Sequence, residues 1–545
     1  MSVSVSPQGE SFPLPTAEEE EKEYKRLEKL AAQKRAEGRE IVVVLGLGFV
    51  GAVMATVVAD SVDKKTGKPG KFVIGLQRPS RRSYWKIPVL NRGIAPVESE
   101  DPEVPEMIHR TVVEKQTLTA TFTNEALRLA DVVIVDVQCD YIKNALGNLS
   151  DGYADMEALK QSFYVIGQKI PPEALVLIET TVAPGTTEHV ALPILREEFS
   201  KRGIPSTPLL AHSYERVMPG KEYVRSIRDF WRVCAGIDER SRDRVAKFLT
   251  EVLNTEEYPM TVMDSPIESE TTKIMENSWR ATILAFMAEW GLYAEKTGVD
   301  LVKVVKAIKV RPTHCNILFA GPGVGGYCLP KDGGLGVWAY KNVLDFPDDI
   351  FKITPLAIDI NDTKALHAAD LVEEALKEMG KTIKGAKVLI LGAAYREDVG
   401  DTRYSASEMI VRKLAELGAE VSAHDPYVKS WWEFETQDEN PKHSWARFFK
   451  NQVKLKELKV QKDLDAALKD IDAVVFAARH KAYLGLDPQH VVRSAGQQVA
   501  VLDCFGILTD ETIADYLRLG CAVRAMGRGH IARMKVKIAV KKRTP

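Results

Sequence analysis

The sequence predicts an α/β protein: two doubly wound parallel sheets joined by a long central helix. Three observations carry that reading. From Ile41 onward, short apolar runs ending in glycine or polar residues alternate with helix-forming stretches, as strands buried on both faces do. Residues 266–296 then form one helix-compatible stretch with no internal proline and one glycine near its end. After Pro355 the strand–helix alternation begins again. At 545 residues the chain exceeds what one core can bury, so more than one domain is expected.

Taken in order, residues 1–39 read as a charged, partly helical extension. Thr16-Ala-Glu-Glu-Glu-Glu-Lys-Glu opens a run whose opposite charges recur at helical spacing along a solvated face. A role in subunit contacts is the alternative. Residues 40–250 are expected to form the first sheet domain. Its first strand, Ile41–Leu45, runs into Gly46-Leu47-Gly48-Phe49-Val50-Gly51 and then a helical stretch, Ala52–Asp60. A dinucleotide site requires this order, because glycines let the backbone approach a pyrophosphate at a helix N-terminus. Val73–Leu76 reads as the second strand, Asp131–Asp136 as a later one, and Leu175–Glu179 as another, ending in Thr180-Thr-Val-Ala-Pro-Gly185. Ligands bind beyond the carboxyl ends of such strands, which places Gly46, Cys139 and Thr181 there.

Residues 251–360 are expected to be a central helical region. Glu270, Lys273 and Asn277 share one face of its long helix, among Ile274, Trp279, Ile283, Leu284, Phe286 and Met287. The polar trio is expected to face a ligand or an interface. The apolar remainder is expected to be buried on more than one side, against a second subunit, so a homodimer is anticipated. Residues 361–545 repeat the architecture with strands at Lys387–Leu391, Glu420–Asp425, Ala473–Ala477 and Val499–Asp503. Here the turn reads Gly392-Ala-Ala-Tyr395, without the glycines a dinucleotide pyrophosphate needs.

Composition narrows the function. Hydrophobic residues make up 45%, charged residues 28%, and the net charge is −2, with no basic stripe for nucleic acid. No apolar run approaches the roughly 20 residues that span a bilayer, and no signal-like start is present. The six cysteines are scattered without a C-x-x-C pair, so neither a zinc site nor a disulfide frame is expected. The reading is a cytoplasmic enzyme with reduced thiols and no metal.

The most informative segment is Gly321-Pro-Gly-Val-Gly-Gly-Tyr-Cys328-Leu-Pro-Lys-Asp332. Its glycines allow close approach to a ligand and deliver one thiol, with a lysine and a carboxylate just beyond. A thiolate held near a cation is a nucleophile. With a nicotinamide site in the same chain, it suggests an oxidation passing through a covalent thioester.

These residues resemble the UDP-glucose/GDP-mannose dehydrogenase family, the nucleotide-sugar 6-dehydrogenases, over roughly residues 40–530. The resemblance rests on the Cys328 turn, Gly46–Gly51, Thr181–Thr186, Glu215-Arg-Val, Lys273-x-x-x-Asn277, Asp401-x-Arg403-x-Ser405 and His424-Asp425-Pro426. It implies two Rossmann-like domains and oxidation of the C6 alcohol of a UDP-sugar to a carboxylate with two NAD⁺. It further implies Cys328 as nucleophile, Lys273 and Asn277 as oxyanion donors, and Asp332, Thr181 and Glu215 in proton transfer. Cofactor contacts would come from Gly46, Gly48, Phe49, Val50, Gly51, Gln77, Arg78, Cys139 and Thr181. Sugar-nucleotide contacts would come from Glu215, Arg216, Lys273, Asn277, Arg311, Gly325 and Arg396.

Departures from the family pattern matter too. Gln77-Arg78 stands where a ribose-binding acid is usual, leaving NADP open beside NAD. Arg396 stands where lysine is common, and Gln138-Cys139-Asp140 replaces a Pro-Thr-Pro turn. Cys504, where relatives often place arginine, reads as structural. Glu215–Gly220 and Arg232–Ile237 look like the UDP-N-acetylhexosamine branch, whereas Leu329-Pro-Lys-Asp332 looks like the UDP-glucose branch. Two other readings stand beside this one: a β-hydroxyacid-type single-step dehydrogenase, which needs neither the cysteine turn nor a second sheet, and a non-catalytic sugar-nucleotide-binding protein.

Overall fold

A computed structural model describes residues 2–543 apart from 219, 320 and 436–444, so Pro219 of the Glu215–Gly220 run lies outside the described residues. The chain divides into two compact units. The first holds residues 1–140, 154–274 and 338–348; the second holds 141–153, 275–337 and 349–545.

The extension is more ordered than its charge pattern suggests. It opens with an antiparallel hairpin of β1 (Val3–Val5) and β2 (Ser11–Pro13), which the sequence reading missed. Helix α1 (Ala17–Ala36) starts where it does because Thr16 and Glu19 form a capping box, worth about 1 kcal/mol. Leu27 and Ala31 of α1 are fully buried, and Glu23 and Glu20 accept hydrogen bonds from Thr121 and Thr123. One face of α1 therefore packs on the first unit, while Lys22–Glu18 and Lys25–Glu21 occupy the solvated face.

The first unit is built on β3 (Glu40–Leu45), β4 (Lys71–Leu76), β5 (Leu118–Thr121) and β6 (Val132–Val135). After β6 comes an unanticipated hairpin of β7 (Asp140–Ala145) and β8 (Asn148–Asp155), most of which belongs to the second unit. The chain returns as β9 (Leu175–Ile178), β10 (Leu209–His212), β11 (Val233–Gly236) and β12 (Thr261–Val262). The sheet order is β12-β11-β10-β9-β6-β3-β4-β5, parallel except where β11 pairs with β10. Strands β3, β6 and β9 stay apolar because both faces are covered. Helix α2 (Phe49–Asp60) has no charge before Asp60, and every residue from Gly51 to Ala59 is buried, as a helix hydrophobic all round must be. A short helix, α3 (Lys86–Asn91), follows β4.

Helix α4 (Pro266–Thr297) runs 32 residues and contributes its first turns to one unit and the rest to the other. Helices α5 (Leu329–Asn342) and α6 (Ile353–Glu378) follow. In α4, Ile274, Ala281, Ala285, Met287, Ala288 and Ala294 are buried, while Met275, Trp279, Phe286, Trp290 and Tyr293 are exposed, Met275 to 66%.

The second unit carries β13 (Lys387–Leu391), β14 (Glu420–His424), β15 (Val460–Gln461), β16 (Ala473–Phe476), β17 (Ala500–Asp503) and β18 (Ala522–Ala525). They pair in the order β15-β14-β13-β16-β17-β18, all parallel. Six strands of each sheet thus share the doubly wound order 3-2-1-4-5-6, whose switch point lies beside the first strand. The α/β fold with two such sheets is as the sequence predicts. No helix of the described residues is long and apolar enough to cross a membrane.

Candidate active site

In the first unit the switch point lies between β3 and β6. Gly46 takes φ +108°, and a Cβ there would stand 2.6 Å from the Asp136 carbonyl oxygen. A Cβ on Gly51 would lie 2.0 Å from the Gly46 carbonyl oxygen, so the turn closes only with glycine at both positions. Gly48 is different: nothing lies within 4 Å of its missing Cβ, and it precedes α2 without a side-chain cap. That open, uncapped helix N-terminus suits a pyrophosphate. Phe49 is held by stacking on Tyr223 at 4.6 Å.

Leu47, between the glycines, is gripped from three sides. Its N–H donates to Gln77 Oε1 at 2.9 Å, its carbonyl accepts from Lys86 Nζ at 3.0 Å, and its side chain fills the space above Gly75. Lys86, which the sequence reading passed over, is half-buried, and desolvation lowers its ammonium pKa. Arg78 is exposed. Cys139 is buried at 1% exposure and offers no open side chain to a ligand; Thr181 is buried just beyond β9.

A charged network fills the carboxyl ends of β6, β9 and β10. Glu215 receives Lys273 Nζ on its carbonyl at 2.8 Å and on Oε1 at 3.3 Å. Burial would raise the Glu215 carboxyl, but Lys273, the Val217 N–H and Arg232 together hold it below its ordinary value. Arg232 pairs with Glu179 and donates to the Tyr214 carbonyl at 2.6 Å. Asp136, which follows β6 and packs against the glycine turn, is pushed well above its ordinary value by burial and by Glu179. His212, buried against Ser269 at 2.9 Å, is lowered to about 3 and stays neutral. Arg216 is bound to the Trp231 carbonyl and the Tyr214 hydroxyl.

One expectation fails here. Glu270 does not face a ligand with Lys273 and Asn277. Its carboxyl accepts the N–H groups of Gly185 and Thr187 and the Thr187 hydroxyl, at 2.6–2.8 Å. Burial raises it to about 7. Gly185 takes φ +88°, and the turn's amides find no strand partner, so the helix carboxyl ties down the turn after Thr181.

In the second unit Cys328 immediately precedes α5, and its carbonyl accepts the N–H groups of Lys331 and Asp332. It is partly exposed, whereas Cys139, Cys234, Cys504 and Cys521 are buried and Cys315 is exposed. Asp332 is fully buried; Lys331 Nζ reaches one oxygen at 2.8 Å and Asn277 Nδ2 the other at 2.7 Å. Of the glycines before Cys328, Gly325 and Gly326 rest on residues 395–404. The Gly326 N–H donates to the Arg403 carbonyl at 2.8 Å, and a Cβ on Gly325 would stand 2.3 Å from the Tyr404 carbonyl oxygen. Arg403 is clamped by both oxygens of Asp401, lies 5.5 Å from the Tyr327 ring and acts electrostatically on Cys328.

Beside this loop lies a cavity of about 150 Å³. Lys364, Arg396 and Arg479 line it with cations, against one carboxylate, Glu397; Phe319 and Phe505 supply flat apolar surface. Arg396, expected from the sequence to contact the sugar nucleotide, is one of the lining residues. Arg311 is exposed and does not line this cavity. Lys364 and Arg479 were missed. A signal for Lys364 was present: with Asn361 it makes a polar pair three residues apart on a helix face otherwise set by Ala357, Ile358, Ala365 and Ala368.

Comparison with known proteins matches these regions one by one. Residues 40–253 match the NAD binding domain of the UDP-glucose/GDP-mannose dehydrogenase family, 267–362 its central domain and 389–510 its UDP binding domain. A UDP-N-acetyl-D-mannosamine dehydrogenase of Pyrococcus horikoshii is 26% identical over 492 residues, covering 90% of this chain and all of that protein. One from Campylobacter jejuni is 26% identical over 83% of this chain and 98% of its own. Among solved structures, the NDP-N-acetyl-D-galactosaminuronic acid dehydrogenase of Methanosarcina mazei Go1 superimposes with a TM-score of 0.72 at 29% identity, covering 93% of this chain and 98% of that one. A nicotinamide cofactor and a UDP-sugar are the ligands these domains imply. The chain belongs to the UDP-glucose/GDP-mannose dehydrogenase family.

Proposed function

We propose that this protein is an NAD-dependent UDP-N-acetylhexosamine 6-dehydrogenase, which oxidises the C6 alcohol to a carboxylate in two two-electron steps. The observation that carries the proposal is Cys328: a partly exposed thiol at the N-terminus of α5, in a glycine loop beside a cation-lined cavity. The names of the relatives favour an N-acetylhexosamine over glucose.

Each residue has a task. Lys364, Arg396 and Arg479 neutralise the diphosphate, and Phe505 and Phe319 cover the uracil. The nicotinamide cofactor, when bound at Gly46–Gly51, supplies the hydride acceptor for each oxidation. In the first oxidation the alcohol proton leaves through a water held at Thr181. The Cys328 sulfur, favoured as thiolate by the helix N-terminus, then adds to the C6 aldehyde, forming a carbon–sulfur bond. Lys273 and Asn277 donate to the oxyanion, worth roughly 3 kcal/mol per donor. The second oxidation converts the thiohemiacetal to a thioester. Water, with Glu215 as base, releases the carboxylate and restores the thiol. Asp332, whose oxygens are taken by Lys331 and Asn277, orients Asn277.

The exposed aromatic row of α4 supports a homodimer, since monomers seldom leave so much contiguous apolar surface in water. Sedimentation of a stable monomer at micromolar concentration would contradict it.

The test is NAD⁺ reduction across UDP-glucose, UDP-galactose, UDP-N-acetylglucosamine, UDP-N-acetylmannosamine and GDP-mannose, repeated with NADP⁺. Two reduced cofactors per sugar, and highest kcat/KM for an N-acetylhexosamine with NAD⁺, are expected. One cofactor per sugar would defeat the thioester route, and a tenfold preference for NADP⁺ would overturn the cofactor assignment.

A further inference from the structure

Residues 1–39 lie outside the three matched domains, yet their hairpin touches the segment that follows β4. Ser4 Oγ, fully buried, accepts the Trp85 N–H at 3.1 Å. Ser2 Oγ accepts from Arg81 Nε at 2.6 Å. At the far end of α3, Arg92 pairs with Glu10 at 2.9 Å and lies 5.9 Å from the Phe12 ring. The hairpin thus holds residues 81–92 at both ends. Lys86, next to Trp85, is the residue whose ammonium binds the Leu47 carbonyl inside the glycine turn.

We propose that the N-terminal hairpin is a positioning device for the cofactor turn, with Ser4 as its key contact. The sequence of contacts runs from Ser4 to the Trp85 amide, to Lys86, to Leu47. The amides of Gly48 and α2 keep their aim at a pyrophosphate only while Leu47 stays in place. The hairpin acts through α3. A buried hydroxyl is well suited to this, because losing it strands the Trp85 N–H without a partner.

The inference rests on dinucleotide binding at Gly46–Gly51, and the experiment separates the two. NADH is titrated into wild type, Ser4→Ala, Ser4→Thr and a chain lacking residues 2–13, following NADH fluorescence. Tm, kcat and both KM values are measured alongside. Ser4→Ala and the truncated chain are expected to weaken NADH binding about fivefold and raise the cofactor KM in step. Their kcat and sugar-nucleotide KM should be unchanged, and Ser4→Thr should restore affinity. A merely structural hairpin would lower Tm and leave NADH affinity within about twofold, which overturns the proposal; so would failure of Ser4→Thr to restore it. If the truncated chain does not fold, Ser4→Ala decides alone. Wild type that binds no NADH would overturn the functional reading, and this inference with it.

Discussion

The two sheets share an order but not a turn. Gly46 and Gly392 both take a left-handed φ, +108° and +104°, and each donates its N–H to the last residue of the second strand, Leu76 or His424, at 2.9 Å. In both, the next residue reaches back to the turn. Gln77 takes one amide, that of Leu47, and leaves Gly48 open. Asp425 takes two, those of Ala393 and Ala394, at 2.8 and 3.1 Å, and is itself paired with His480 at 3.0 Å. The second turn therefore carries its own anion where the first keeps room for a ligand's phosphate. Strand order is common to both sheets; what differs is how many turn amides the residue after the second strand takes, one in the first sheet and two in the second.

The largest break would come from the chemistry proposed at Cys328. Cys328→Ser should lower carboxylate formation at least about 1,000-fold. Binding of both nucleotides, followed by calorimetry, should persist, and normal turnover would remove the thioester from the mechanism. Next, Gly48→Asp puts in the first turn the kind of anion the second already has. Cofactor affinity should fall about 100-fold, with sugar-nucleotide affinity unchanged; equal losses of both would show that the two turns are not specialised. Arg479→Ala is the mirror experiment: sugar-nucleotide KM should rise roughly tenfold, the worth of a charged hydrogen bond, while cofactor KM stays put.

The smallest effect sharpens the contrast through pH. Burial would raise the Asp425 carboxyl, but His480 and the turn amides hold it below its ordinary value. A carboxyl depressed on folding stabilises above its unfolded pKa, and that stability is lost as pH falls through the folded value. Asp425→Asn should therefore cost about 2 kcal/mol near neutrality and flatten the decline of Tm below about pH 4. Gln77 does not titrate, so Gln77→Ala should leave the acid limb unchanged. An acid limb insensitive to Asp425 would mean that its carboxylate is not what holds the second turn.

Much of this was legible because strands and glycine turns are local. Ile41–Leu45, the Gly46–Gly51 turn and the Cys328 loop each announce themselves within a dozen residues. What escaped depends on distant partners. Glu270 looked like a site residue by helical spacing, yet its role is set by amides 83 and 85 residues away. Lys364 and Arg479 meet only in the folded cavity. The β7–β8 hairpin hid because its strands carry many polar residues, including Asp140, Lys143 and Asn144. The β1–β2 hairpin is only three residues per strand and sits in a segment whose charge drew attention elsewhere.

Gly75 carries a consequence of a different kind. It sits in mid-strand, at no turn, where a reader would expect any small residue to serve. A Cβ there would meet the Leu47 Cδ2 at 2.7 Å. Positions 47 and 75, one in the turn and one in the neighbouring strand, are therefore two halves of a single volume and should be inherited together. Gly75→Ala together with Leu47→Val should therefore cost less stability than Gly75→Ala alone, because the atom the new Cβ meets is the end of the Leu47 side chain.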